Sequence, residues 1–151
     1  MSVIAETTIK VKKLHSGSEV PTRGSDYAAG YDLYAYTEGE GVNIPAHTTV
    51  KVGTGVAIQP PAGTFGAVFA RSGLATNKGL RPANCVGVCD EDYTGEYIVA
   101  LHNDSDDDYY IRMGDRIAQA VFIPYVAGEI EIVTDLEETD RGAGGFGSTG
   151  E

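Results

Sequence analysis

No stretch of this chain comes near the ~20 consecutive apolar residues that a membrane-crossing helix needs. Residues 1–13 contain no apolar segment of the secretory type. Together these absences predict a soluble, intracellular protein, cytoplasmic and without a membrane partner. Basic residues are scarce: 11 Lys and Arg stand against 22 Asp and Glu, for a formal net charge of -11. Duplex nucleic acid demands a basic face, so nucleic acid is excluded as a partner. A small polyphosphate is not, provided arginines, backbone N–H groups and a metal are gathered locally. Cysteine is nearly absent too. Cys85 and Cys89 have the spacing of neither a zinc knuckle nor a redox pair. On one regular strand they would share a face as small core residues, and a disulfide there is geometrically poor. Both are expected as free thiols. No internal repeat and no linker divides the 151 residues, a length that suits one domain with a real core.

What the chain does have is turns. Its 20 glycines punctuate short β-branched and aromatic runs, and 42% of residues remain hydrophobic, which excludes disorder. Strands are expected over residues 3–14, 31–36, 42–44, 48–52, 56–59, 65–70, 83–88, 97–102, 109–111, 117–126 and 130–133. That density predicts an all-β fold, a distorted jelly-roll or β-sandwich in a single domain. The one short helix is expected after Ser72, through Leu74-Ala75-Thr76-Asn77. Residues 1–134 form the predicted body. Residues 135–151, acidic and then glycine-rich, read as a mobile C-terminal arm.

One stretch stands out: Gly87-Val88-Cys89-Asp90-Glu91-Asp92-Tyr93-Thr94-Gly95. Three carboxylates and a tyrosine lie between glycines, with strand-like residues on both sides. This pattern predicts a β-hairpin that exposes main-chain groups to a flat ligand and aims a carboxylate at it. Four other stretches accompany it. They are Ala28-Ala29-Gly30-Tyr31-Asp32-Leu33, Arg71-Ser72-Gly73-Leu74-Ala75, Gly114-Asp115-Arg116-Ile117-Ala118-Gln119, and the glycine-rich run from Arg141 to Gly150. Arg71-Ser72-Gly73 opens the expected helix, where free N–H groups and partial positive charge favour phosphate; a simple Ser72 cap is the plainer reading. Asp32 could hold the water shell of a metal or brace a neighbouring loop. Asp115 and Arg116 offer an adjacent ion pair. Gly142-Ala143-Gly144-Gly145-Phe146-Gly147 fits a dinucleotide fingerprint in letters only, because no βαβ unit surrounds it. It reads better as a flap whose N–H groups wrap a phosphate, with Arg141 adding charge, or else as disorder. Asp104-Ser105-Asp106-Asp107-Asp108 begins like an EF-hand loop, but Tyr109 replaces the required glycine. It is expected to be a solvated hairpin tip.

These five stretches, in this order from residue 28 to residue 150, resemble the trimeric dUTPase family. The resemblance implies a homotrimer that hydrolyses dUTP to dUMP and pyrophosphate with Mg²⁺, keeping uracil out of DNA and supplying dUMP for thymidylate synthesis. It implies that Arg71, Ser72 and Gly73 grip the phosphates, although Ala70 stands where many relatives carry Pro. Asn84 and the backbone of Gly87, Val88 and Cys89 would recognise uracil by its acceptor–donor–acceptor edge. Cytosine would leave buried groups unpaired there, a discrimination of ~10⁴–10⁵. Asp90 would be the general base that activates water against the α-phosphorus, with Glu91 and Asp92 as nearby alternatives. Tyr93 would lie flat on the sugar and exclude a 2′-hydroxyl. Gln119 would donate to a phosphate; Arg141, Phe146 and Gly147 would belong to the closing flap, Phe146 on the base. Asp32 would meet the metal through water. Each site would draw on three subunits. Two rivals remain: a relative of the dCTP deaminases, which should lack both the 90–93 pattern and the Phe146 flap, and a nucleotide-binding trimer without catalysis.

Overall fold

The structure, a computed structural model, describes residues 7–147 and Gly150. Positions 3–6 of the expected first strand, and Ser148 and Thr149 of the glycine-rich run, lie outside the described residues. The elements in chain order are β1 (Lys10–Lys13), β2 (Tyr31–Tyr34), β3 (Val42–Ile44), β4 (Thr49–Gln59) and β5 (Thr64–Phe69). Then come α1 (Ser72–Lys78), β6 (Leu80–Pro82), β7 (Gly87–Cys89), β8 (Glu96–Asn103), β9 (Tyr109–Ile111) and β10 (Arg116–Pro124). All ladders are antiparallel. One sheet has the order β1-β4-β8-β6, the second β2-β10-β5-β7, and β3 pairs with β9 in a small third sheet. The fold is the expected all-β jelly-roll.

Side-chain alternation explains how the sheets meet. Along β8, Tyr97, Val99, Leu101 and Asn103 are buried while Ile98 between them is exposed, the period of two that a half-covered strand dictates. These residues join Val52, Val56 and Ile58 of β4, Leu33 of β2, Val68 of β5 and Ala118 and Ala120 of β10 in one core. Asn103 is the most deeply buried polar side chain among the described residues, and it is fully bonded. Its amide donates to the carbonyls of Ile44 (3.0 Å) and Asp107 (2.8 Å), and its Oδ1 accepts from the N–H and hydroxyl of Ser105. Tyr97 reaches from one sheet to the other: a Cβ built on Gly66 of β5 would lie 2.3 Å from its hydroxyl. Only glycine leaves room for that ring.

Several expectations are corrected. The strands expected at 48–52 and 56–59 are one strand, β4, running through its glycines with a register shift between Gly53 and Ala57. Gly55 takes a left-handed φ of 68° there, so glycine serves the bulge and does not break the strand. The stretch 83–88 is mostly a turn, and only its end joins β7. Residues 130–133 form no strand: Ile130 and Ile132 are fully exposed, and β-propensity without a partner edge does not make a ladder. Regular structure ends with β10, and residues 126–140 are exposed throughout. The acidic run at 104–108 caps no hairpin, because β8 and β9 belong to different sheets. It is tied down instead: Asp104 to Arg81 (2.7 Å), Asp106 to His47 (2.8 Å), and Asp108 to Asn43 and the Ala46 N–H.

Candidate active site

The glycine-bounded acidic stretch does not form the expected hairpin. β7 is the edge strand of its sheet, paired only with β5, while β8 lies inside the other sheet between β4 and β6. The two strands leave the turn in different directions. The reason lies in their flanks: Tyr97, Val99 and Leu101 bury into the core between the sheets, whereas Gly87–Cys89 lies along Gly66, Ala67 and Val68 of β5. Between the diverging strands a cavity of about 250 Å³ opens, lined by Asn84, Gly87, Val88, Asp90, Tyr93 and Ile98 among others. The outer edge of β7 keeps its main-chain donors and acceptors without a strand partner, and these border the cavity.

Turn chemistry sets the entry and the rim. Cys85 adopts φ 64° in the bend before β7; it is exposed, which corrects its expected place in the core. The residues on either side of it fold tightly together, Val86 N–H donating to the Asn84 carbonyl at 2.7 Å. Cys89 is half-buried and free, and burial pushes its thiol pKa up, so it stays neutral. Burial likewise raises the pKa of Tyr97, and the Cys89 thiol beside its hydroxyl adds to the rise. At the far rim Tyr93 N–H donates to the Asp90 carbonyl (3.0 Å), which closes the turn carrying Asp90. The Tyr93 hydroxyl donates to the Glu96 carbonyl (2.7 Å), and its ring lies over Gly95, where a Cβ would come within 2.6 Å of the hydroxyl. The aromatic face is thereby fixed beside the cavity.

A second group assembles on the same sheet. β10 pairs with β2 and β5 so that Gln119 lies beside both Asp32 and Phe69. Asp32 receives Arg71 Nε at 3.2 Å and faces Arg116 Nη1 at 3.6 Å; Arg71 also donates to the Arg116 carbonyl at 3.4 Å. The Gln119 amide donates to the Ala70 carbonyl (2.9 Å). Gly30 makes that possible, since a Cβ there would lie 2.2 Å from Gln119 Oε1. Three motifs distant in sequence thus meet, and Asp32 braces the loop that leads into α1. The helix begins after Arg71, not Ser72, and no side chain caps it, so the plainer reading of Ser72 as a cap is set aside. Arg116 turns to Asp32; Asp115 instead accepts from the Arg112 N–H (2.8 Å), so the expected adjacent ion pair does not form. Arg116 is the functional candidate that the chain order conceals, because only the β2–β10 register brings it to Asp32. Among the described residues, no group of three His, Cys, Asp or Glu side chains could hold a metal ion. Both Asp32 oxygens face guanidiniums, so a divalent cation would be met by this carboxylate through water, not directly.

The two groups do not meet in one chain. Asp90 follows Cys89, which pairs with Gly66, while Arg71 lies beyond Phe69 at the other end of β5. From Gly66 to Arg71 the extended chain covers roughly 15 Å at ~3.3 Å per residue. Arg141 and Phe146 belong to neither group: Arg141 Nε donates to the Gly144 carbonyl (2.8 Å), and Phe146 is wholly exposed at φ 49°.

The jelly-roll thus carries an edge-strand slot with a carboxylate at its rim and, on the same sheet, a separate arginine–carboxylate group. The dUTPase family model matches residues 17–150, and the chain belongs to the dUTPase family. It is 47% identical over 143 residues to the deoxyuridine 5'-triphosphate nucleotidohydrolase of Syntrophotalea carbinolica, covering 95% of this chain and 97% of that one. To the Saccharomyces cerevisiae protein of the same name it is 42% identical over 151 residues, with 99% of each covered. Among solved structures, the dUTPase of Staphylococcus bacteriophage 80alpha with dUPNHPP superimposes with a TM-score of 0.85 at 28% identity, covering 95% of this chain and 99% of that one.

Proposed function

We propose that this protein is a dUTP diphosphatase, releasing dUMP and pyrophosphate from dUTP and water. The slot between β7 and β8, with Asp90 at its rim, carries the reading. A uracil ring laid along the free edge of β7 meets main-chain donors and acceptors in a fixed order, with the Asn84 amide at the entry. Cytosine presents the wrong edge and leaves buried groups unpaired. Tyr93, fixed over Gly95, stacks on the sugar.

Asp90 Oδ takes a proton from a water as that water's oxygen bonds to the α-phosphorus. The bond from α-phosphorus to its bridging oxygen breaks, and pyrophosphate leaves with the electron pair. Arg71, Ser72, Gly73 and Gln119 hold the phosphates and stabilise the departing charge. Asp32, while bracing Arg71, would meet a phosphate-borne Mg²⁺ through water, and that ion would supply neutralising charge to the phosphates. Because the Asp90 and Arg71 groups lie at opposite ends of β5, one chain supplies only part of a site. We assign a homotrimer in which neighbouring subunits supply the rest, with the arm beyond the body bringing Arg141, Phe146 and Gly147 over the ligand. The cytoplasm is the compartment we assign, in keeping with two free thiols.

The deciding experiment measures pyrophosphate release from dUTP. The protein should turn dUTP over, and Asp90→Asn should cut kcat by ~10²–10⁴-fold, the scale of a lost general base, with dUMP binding retained. Ammonia released from dCTP, or no turnover of dUTP at all, would refute the assignment.

A further inference from the structure

We infer that Glu91 is the positioning residue of Asp90: its carboxylate closes a ring of three hydrogen bonds that fixes the turn on which Asp90 rides. Oε1 accepts from the Gly63 N–H at 3.1 Å, and Oε2 accepts from the Tyr125 hydroxyl at 2.6 Å. Tyr125 N–H in turn donates to the Gly63 carbonyl at 3.4 Å. Three separate segments are thereby joined: the β4–β5 turn at Gly63 (φ 78°), the Asp90 turn, and the first residue after β10. The inference rests on the reading of Asp90 as the base.

Several observations support the ring. The turn from Asp90 to Gly95 has little else to hold it. Among the described residues it is otherwise held by the Tyr93 N–H on the Asp90 carbonyl and the Tyr93 hydroxyl on the Glu96 carbonyl, and it ends at Gly95. Three successive carboxylates also repel one another. Turning Glu91 to a phenol and an N–H separates its charge from Asp90, and a hydroxyl-to-carboxylate bond of this length is of the strong, charge-assisted kind. The Tyr125 hydroxyl, first, and the Gly63 N–H, second, hold the Glu91 carboxyl below the usual carboxylate range. Tyr125 is itself fixed edge-on against Phe65, their ring centroids 6.4 Å apart. Glu91 and Tyr125 line a second cavity of about 710 Å³, separated from the base slot by Val88 and Asp90, which border both. Both Glu91 oxygens are committed, so Glu91 is not a rival base; it acts through the placement of its neighbour.

Tyr125→Phe keeps the ring packing and removes only the hydroxyl. It should lower kcat for dUTP roughly tenfold, the scale set by a small misplacement of a reacting group. KM should stay within about twofold, because the base slot is untouched. Glu91→Gln should do the same, and the double variant should be no worse than the poorer single one. Amide hydrogen exchange over residues 90–95 should quicken in Tyr125→Phe. Unchanged kcat, a rise in KM alone, or losses that multiply in the double variant would overturn the inference while leaving dUTP hydrolysis intact. If the parent protein does not hydrolyse dUTP, the exchange measurement still decides: unaltered exchange in Tyr125→Phe overturns the ring.

Discussion

Tyr97 shows how a single side chain joins the two sheets beside the candidate site. Its ring crosses from β8 to Gly66 on β5, next to the point where β7 and β8 part. A methyl group on Gly66 would sit 2.3 Å from the hydroxyl and 3.1 Å from the ring carbon bearing it. Gly66→Ala should therefore destabilise the fold by about 1–3 kcal/mol, the range for an overpacked core. Tyr97→Phe removes the clashing oxygen and gives up at most a weak contact with the Cys89 thiol. It should recover most of the loss when combined with Gly66→Ala. Urea denaturation of the two single variants and the double checks this; additive losses would show that the hydroxyl is not the obstacle.

At the scale of the element, β7 is the informative one, three residues held at an edge and introduced by Cys85 at φ 64°. A side chain in that conformation costs about 1–2 kcal/mol, and Cys85 is exposed and so contributes little packing. Cys85→Gly should raise stability by about 1 kcal/mol in thermal unfolding, and no gain would mean the bend is held by its neighbours. The chain announced the ingredients of this element but not its partner. Asp90, Tyr93 and the bounding glycines were legible because turn chemistry is local. That β7 joins β5, and not β8, was not, since alternation in β8 and glycine in β5 decide it from a distance. The same holds for Arg116, which sequence places beside Asp115 and tertiary pairing places beside Asp32. Residues 130–133 failed in the opposite way, with strand-like composition and no edge to complete.

For the whole molecule, net charge and carboxylate placement set the response to acid. Asp104, bonded first to Arg81, Asp108, bonded first to Asn43, and Glu91, bonded first to Tyr125, all have folded-state pKa values lowered from ordinary ones. Their stabilisation is complete above the unfolded-state values of 3.8 for Asp and 4.5 for Glu, and it is lost as pH falls through the lower folded-state values. Tm should therefore decline progressively once pH drops below about 4.5, and Arg81→Met should flatten part of that decline. A Tm independent of pH in this window would contradict it.

The span of β5 between Asp90 and Arg71 also governs how the proposed assembly responds to damage. Asp90→Asn and Arg71→Ala chains, each inert alone, should regain activity when unfolded and refolded together, with about a quarter of sites drawing both sound groups from different copies. No recovery would mean that each chain works by itself. Were a cell to carry one sound and one faulty copy of the gene, a fault at Asp90 or Arg71 alone would leave about half of the mixed sites complete, so sharing would spread the damage over more trimers without adding to it.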